Sequence, residues 1–139
     1  MGVFDSFNIN TSGLTLERMK LDTISTNIAN VNTTRTEEGG PYKRKTVTFQ
    51  ESLKREVGSN NNKSFGVRTT GIRQDEETKT VYQPEHPDAD EDGYLELPNV
   101  NLSDEMINMM NTLRTYEANV TAFESSKTML KKALEITKD

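Results

Sequence analysis

Apolar residues recur at helical heptad spacing at both ends of the chain and lose that period between them. Near the C-terminus Met106, Leu113, Val120 and Leu134 stand in one seven-residue series, and Met109, Tyr116, Phe123 and Leu130 stand three residues further on. Only Lys127 interrupts that seam. Near the N-terminus Phe7, Leu14, Leu21 and Ile28 are seven apart, with Val3, Ile24 and Val31 at the second seam position and Asn10 and Glu17 breaking it. The two stripes predict terminal helices joined by a polar insert.

Local signals set the expected boundaries. Thr11 and Ser12 offer helix-start oxygens, so Gly13 leaves room for a break before a helix that runs from Leu14. Asn27, Asn30 and Asn32 read as a helix exit, because asparagine is poor inside helices and bonds to nearby carbonyls. Gly39, Gly40 and Pro41 then impose a turn. Thr46 to Phe49 favour a strand, Ser52 to Val57 a short helical turn, and Gly58 to Ser64 a polar surface loop. Phe65, Val67 and Thr69 alternate and Thr78 to Tyr82 is β-favouring, which predicts a hairpin closing near Gln74 to Glu77. Pro84 and Pro87 exclude regular structure around His86. Ser103, followed by Asp104 and Glu105, is the expected N-cap of a helix to about Thr137.

Composition limits what these elements can do alone. Apolar residues make up 32% of the 139, below the roughly 45–50% usual for globular domains even when the eight glycines are added. Stripes with so little other apolar material must be buried against each other or against neighbouring subunits, so the free monomer is expected to be partly unfolded. Cysteine is absent, which removes disulfides and thiolate metal sites. No segment approaches the 18 or so continuous apolar residues of a membrane span, and the N-terminus lacks the layout of a cleaved secretory signal.

The net charge of −5 conceals two opposed blocks. Residues 35–73 carry nine basic and four acidic groups; residues 74–102 carry one and nine. Such blocks can pair within or between subunits, whereas a nucleic-acid binder would show the basic face without its acidic counterpart. Nucleic acid is therefore not an expected partner.

Chemical motifs are few. Asp88, Asp90, Asp92, Gly93 and Leu95 match positions one, three, five, six and eight of an EF-hand loop. The match fails at position twelve, which is Asn99, and Pro84 and Pro87 preclude the entering helix. An acidic turn is the expected reading, with a calcium-dependent binding module as one alternative. His86 has no serine or cysteine tied to it, and Gly39-Gly40-Pro41 lacks the residues of a phosphate loop. The chain is not expected to be an enzyme, and no cofactor is implied. Met106, Met109 and Met110 read as seam residues that fill irregular gaps. Lys127 either snorkels or fixes register.

The run Ser25-Thr26-Asn27-Ile28-Ala29-Asn30-Val31-Asn32-Thr33 closely resembles the N-terminal signature of the bacterial flagellar axial proteins of rod, hook and hook-associated segments. Thr34 to Tyr42, Glu85-His86-Pro87 with Ala89-Asp90 and Gly93-Tyr94, and Pro98-Asn99-Val100-Asn101 narrow it to the proximal-rod members. Glu105-Met106, Arg114, Tyr116 to Asn119, Lys127, Met129 and Ala133-Leu134 fit the same family. The resemblance implies an α+β fold in which N-terminal residues 1–34 and C-terminal residues 102–139 pair as an antiparallel coiled coil. Residues 35–101 would form a small β-containing insert. It further implies a structural subunit that transmits torque and lines the export channel, self-assembling with its own copies and other rod proteins and meeting basal-body ring and adaptor proteins. The expected location is the flagellar basal body in the cell envelope, reached through type III export without signal cleavage. Assembly contacts are expected from Leu14, Leu21, Ile24, Asn27, Ile28, Asn30, Val31, Asn32, Met106, Met109, Leu113, Tyr116, Val120, Phe123, Leu130 and Leu134. A cytoplasmic coiled-coil adaptor is the remaining alternative.

Overall fold

The computed structural model describes residues 3–55 and 62–136. Its elements are α1 (Val3–Ala29), β1 (Lys45–Arg55), β2 (Asn62–Gln74), β3 (Thr78–Tyr82), β4 (Tyr94–Pro98) and α2 (Leu102–Ile136). The fold is α+β, with two long helices flanking a small β-containing region. Glu56, Val57, the Gly58–Asn61 part of the polar tract and Thr137 lie outside the described residues.

α1 is continuous through Gly13, so the expected break is absent. Ser12 does not start a helix: its hydroxyl donates to the Ile9 carbonyl at 2.7 Å and accepts the Val67 amide at 3.1 Å, tying β2 to the middle of α1. Thr15, Thr23 and Thr26 bond back to carbonyls four residues earlier, which keeps these β-branched residues compatible with the helix. The exit is built by Asn30, whose Nδ2 donates to the Thr26 carbonyl at 2.8 Å while its Oδ1 accepts from Thr33. At the other end, Asn101 rather than Ser103 caps α2. Its Oδ1 accepts the Ser103 amide and its carbonyl the Glu105 amide, both at 3.0 Å.

The helices run antiparallel. Phe7 meets Phe123 edge-on at 5.1 Å, Asn119 lies over Gly13, and Asn27 bonds to Glu105, so positions rise along α1 as they fall along α2. On α2 the half-buried or buried positions are Glu105, Met109, Thr112, Tyr116, Asn119, Phe123, Ser126 and Leu130, spaced alternately four and three, with Val120 beside Asn119. Part of the expected seam is therefore shifted by one residue. Met109, Tyr116, Val120, Phe123 and Leu130 are half-buried as expected and Asn119 joins Val120, but Glu105, Thr112 and Ser126 take the places of Met106, Leu113 and Lys127. The physical reason is that these polar side chains find room or partners there: Asn119 lies over Gly13, Glu105 is held by Asn27 and Arg44, and the Ser126 hydroxyl donates to the Ala122 carbonyl. Met106, Leu113 and Leu134 stay 55%, 43% and 61% exposed, and Lys127 faces solvent.

The insert holds two separate two-stranded sheets, β1–β2 and β3–β4, both antiparallel. The expected pairing of β2 with β3 does not form. β2 instead pairs back onto β1, and β3 takes Tyr94–Pro98 as its partner. Ser52 to Arg55 continue β1 as strand rather than turning into helix. β2 lies against α1 at Gly66, where φ is +97° and an added Cβ would collide with Ser12 Oγ and approach the Ile9 Cα at 3.1 Å. Among the described residues the buried apolar side chains are Leu16, Ile24, Tyr42, Val47, Leu95 and Val100, a small core.

Candidate assembly surfaces and the polar hub behind them

Where α1 ends, α2 begins and the chain enters β1, four side chains form one hydrogen-bonded hub. Asn27 is 1% exposed, and its amide makes all four bonds available to it. Nδ2 donates to the Lys45 carbonyl at 2.8 Å and to Glu105 Oε2 at 3.2 Å. Oδ1 accepts from the Tyr42 hydroxyl and the Lys45 amide, each at 2.9 Å. Glu105, also 1% exposed, receives Arg44 through Nε at 2.8 Å and Nη2 at 2.6 Å. A buried carboxylate is tolerated here because a guanidinium and an amide both donate to it. Burial raises the Tyr42 hydroxyl above its usual 10.0, and the Glu105 charge adds to the effect.

The hub therefore fixes the insert to both helices at once. Asn27, expected as part of a helix exit, is a central strut, while Asn30 makes the exit and Asn32 is exposed. Ile24 is buried beside it, and Leu14, Leu21, Ile28 and Val31 are half-buried. Sequence reasoning missed Leu16, Glu17 and Thr23, which are buried on the same helix. Leu16 is out of phase with the heptad because α1 packs against β1 and β2 as well as α2. Glu17 is retained by Lys20 Nζ at 2.8 Å, a pairing that their three-residue spacing could have signalled.

Away from α1, α2 presents an apolar surface: Leu102, Met106, Ile107, Met110 and Leu113 are 43–55% exposed. These residues occupy the first three turns, directly beyond the hub.

The acidic turn is a pinning device. Asp88 accepts from Thr34 Oγ1 at 2.7 Å and lies 3.7 Å from Arg35, while Asp90 Oδ1 accepts the Asp92 and Tyr94 amides. Gly93, at φ +84°, completes the loop. The His86 ring accepts the Asp88 amide through Nδ1. Among the described residues no three His, Asp or Glu side chains gather as a metal-binding group, and no helix is long and apolar enough to cross a membrane.

The sequence family described as "Flagella basal body rod protein" matches residues 7–35, and that described as "Flagellar basal body rod FlgEFG protein C-terminal" matches residues 91–136. Across nearly the whole chain, 43% of residues are identical to the flagellar basal-body rod protein FlgC of Borreliella burgdorferi, with 98% of each protein covered. The chain belongs to the flagellar basal-body rod protein family. Its likeness to the Bacillus subtilis FlgC is 39% over 99% of this chain and 100% of the relative, and to that of Aquifex aeolicus 33% over 99% of each. The two family matches cover α1 from Phe7 through its exit and the stretch from Glu91 through β4 and α2, so the rod-protein signature falls on the helix pair and on the strand that leads into α2.

Proposed function

We propose that this chain is a structural subunit of the proximal rod of the bacterial flagellar basal body and that it catalyses nothing. The observation that carries the reading is the exposed Leu102–Met106–Met110–Leu113 surface of α2 in a member of the rod family. On this reading Met106, Leu113 and Leu134 contact neighbouring subunits, and the helix pair, packed as a coiled coil, forms the inner part of the rod wall. Residues 1–34 and 102–139 act as one helical unit and residues 35–101 as the outer insert. Its partners are its own copies and other rod proteins, then basal-body ring and adaptor proteins and the flagellar type III export apparatus, which passes it into the cell envelope uncleaved. The test is fractionation of detergent-extracted basal bodies from cells carrying Met110→Asp with Leu113→Asp. The expected result is a secreted, folded subunit absent from basal bodies and a loss of swimming; normal incorporation would refute the assembly role of this face.

A further inference from the structure

The two sheets of the insert make no contact with each other among the described residues, yet their solvent faces are chemical opposites. In β3–β4 the pairs Tyr82–Tyr94 and Thr80–Glu96 share one face. Tyr82 and Tyr94 are 63% and 49% exposed, with ring centroids 5.4 Å apart. The ring of Tyr82 is held from below, since an added Cβ on Gly93 would stand 3.0 Å from its Cε2. Glu96 shares their face, Glu91 and Asp92 lead into Tyr94, Glu85 follows Tyr82 in the connecting loop, and all four are exposed. The neighbouring acids are already engaged: Asp88 by Thr34 and Arg35, Glu76 by Lys43, Glu77 by Asn99. In β1–β2 the pairs Thr46–Arg73 and Gln50–Arg68 share the face opposite Val47, and both arginines are exposed.

We infer that the tyrosine-bearing acidic face of β3–β4 docks on the Arg68–Arg73 face of β1–β2 in a second copy of this chain. The inference rests on the rod-subunit reading, because only a polymer repeats the contact. Charge complementarity names the occupant: the basic and acidic blocks lie on the same chain, on different sheets, and each contact leaves a free copy of both faces. Such an interface is heterologous and propagates head to tail. Arginine suits it, since a guanidinium stacks on an aromatic ring while donating to carboxylates. Two tyrosines held by a close-packed turn lose little side-chain freedom on docking.

Charge reversal in full-length protein tests this. Arg68→Glu with Arg73→Glu gives a copy acidic on both sheets; Glu91→Arg with Asp92→Arg gives one basic on both. Sedimentation in low salt should show each reversed protein associating at least about tenfold more weakly than wild type, and an equal mixture recovering association. The deficit should shrink near 1 M salt, where the Debye length falls to about 3 Å. The absence of native cysteine allows a second readout: a chain carrying Tyr82→Cys and Arg68→Cys should oxidise to a ladder of covalent oligomers. Wild-type-like association of either reversed protein, failure of the mixture to recover, or an oxidised product that stays monomeric would overturn the proposal. If the Met110→Asp with Leu113→Asp protein loses rod incorporation but keeps this mixture behaviour, the two surfaces are independent.

Discussion

Asn119 lies over Gly13 between the two helices, so that a Cβ on Gly13 would stand 3.0 Å from Asn119 Nδ2. Glycine inside a helix costs about 1 kcal/mol relative to alanine, and here it leaves room for the opposite side chain. Because the obstructing atom ends a flexible side chain, Gly13→Ala should change stability by no more than about 1 kcal/mol. Gly13→Leu should lose about 2 kcal/mol or more through overpacking. Urea unfolding of both substitutions, with and without Asn119→Ala, measures the balance; an equal loss for alanine and leucine would contradict it.

Gly66 is a stricter position. Its positive φ and its closeness to backbone at Ile9 both exclude a side chain, so Gly66→Ala should destabilise by about 2–3 kcal/mol. Adding Ser12→Ala should recover only part of this, since the Ile9 obstacle and the backbone strain persist while the Val67 amide loses its acceptor. Full recovery in denaturant titration would place the whole effect on the serine.

Two substitutions to aspartate separate the faces of α2. Phe123→Asp removes a ring packed on Phe7 and should destabilise the helix pair by about 3 kcal/mol or more. Leu113→Asp alters a residue already 43% exposed and should change monomer stability by less than about 1 kcal/mol while abolishing rod incorporation. Circular dichroism on purified protein, set beside basal-body fractionation, reads both; a Leu113→Asp protein as unstable as Phe123→Asp would mean that the outer face is needed for folding.

The tyrosine at the hub gives the stability a basic limit. Its folded-state pKa is raised above 10.0 by burial and by Glu105, so between the unfolded and folded values the native state holds the proton that the unfolded chain has lost. Its contribution is thus complete below about pH 10 and falls as pH rises through the folded-state value. Tyr42→Phe should flatten that alkaline decline and lower neutral stability by about 1 kcal/mol, because Asn27 Oδ1 keeps the Lys45 amide. An unchanged alkaline slope in Tyr42→Phe would assign the decline to other groups.

With six buried apolar side chains among the described residues, the isolated chain has little to offset its backbone entropy. Its helicity by circular dichroism should rise with protein concentration or with rod partners present. Full helicity at every concentration, with a sharp thermal transition, would show that the helix pair suffices.

Both long helices were legible in the sequence, because heptad repeats survive wherever a helix buries one stripe. What misled was assigning the stripe to one partner. Met106 and Leu113 have the heptad phase of a seam but lie outside the helix pair, while Glu105 and Thr112, polar and therefore discounted, lie within it. Strand β4 was missed because Tyr94, Glu96 and Pro98 flank only two inward apolar residues, Leu95 and Leu97, and that alternation is too short to stand out. The role of Asn27 was not readable, since its partners Lys45 and Glu105 lie 18 and 78 residues away. The opposed charge blocks were visible, and Arg35–Asp88 and Lys43–Glu76 show some of that charge meeting within the chain. Both contacts are exposed enough to contribute only about 0–1 kcal/mol each.

The saturation of Asn27 has a mechanical consequence. A joint whose bonds break one after another opens under a small force, like a zip, but three bonds at this amide tie it side by side to Tyr42 and Lys45 of the insert, while the fourth ties it to Glu105 on α2. Any shear that drags the insert along the helices must strain those three together, along with the Arg44–Glu105 fork. The joint is stiff until it yields, and when it yields the amide has no intermediate set of partners to fall back on. A twisting load applied to the insert therefore reaches both helices without delay or slack, as through a keyed shaft rather than a spring.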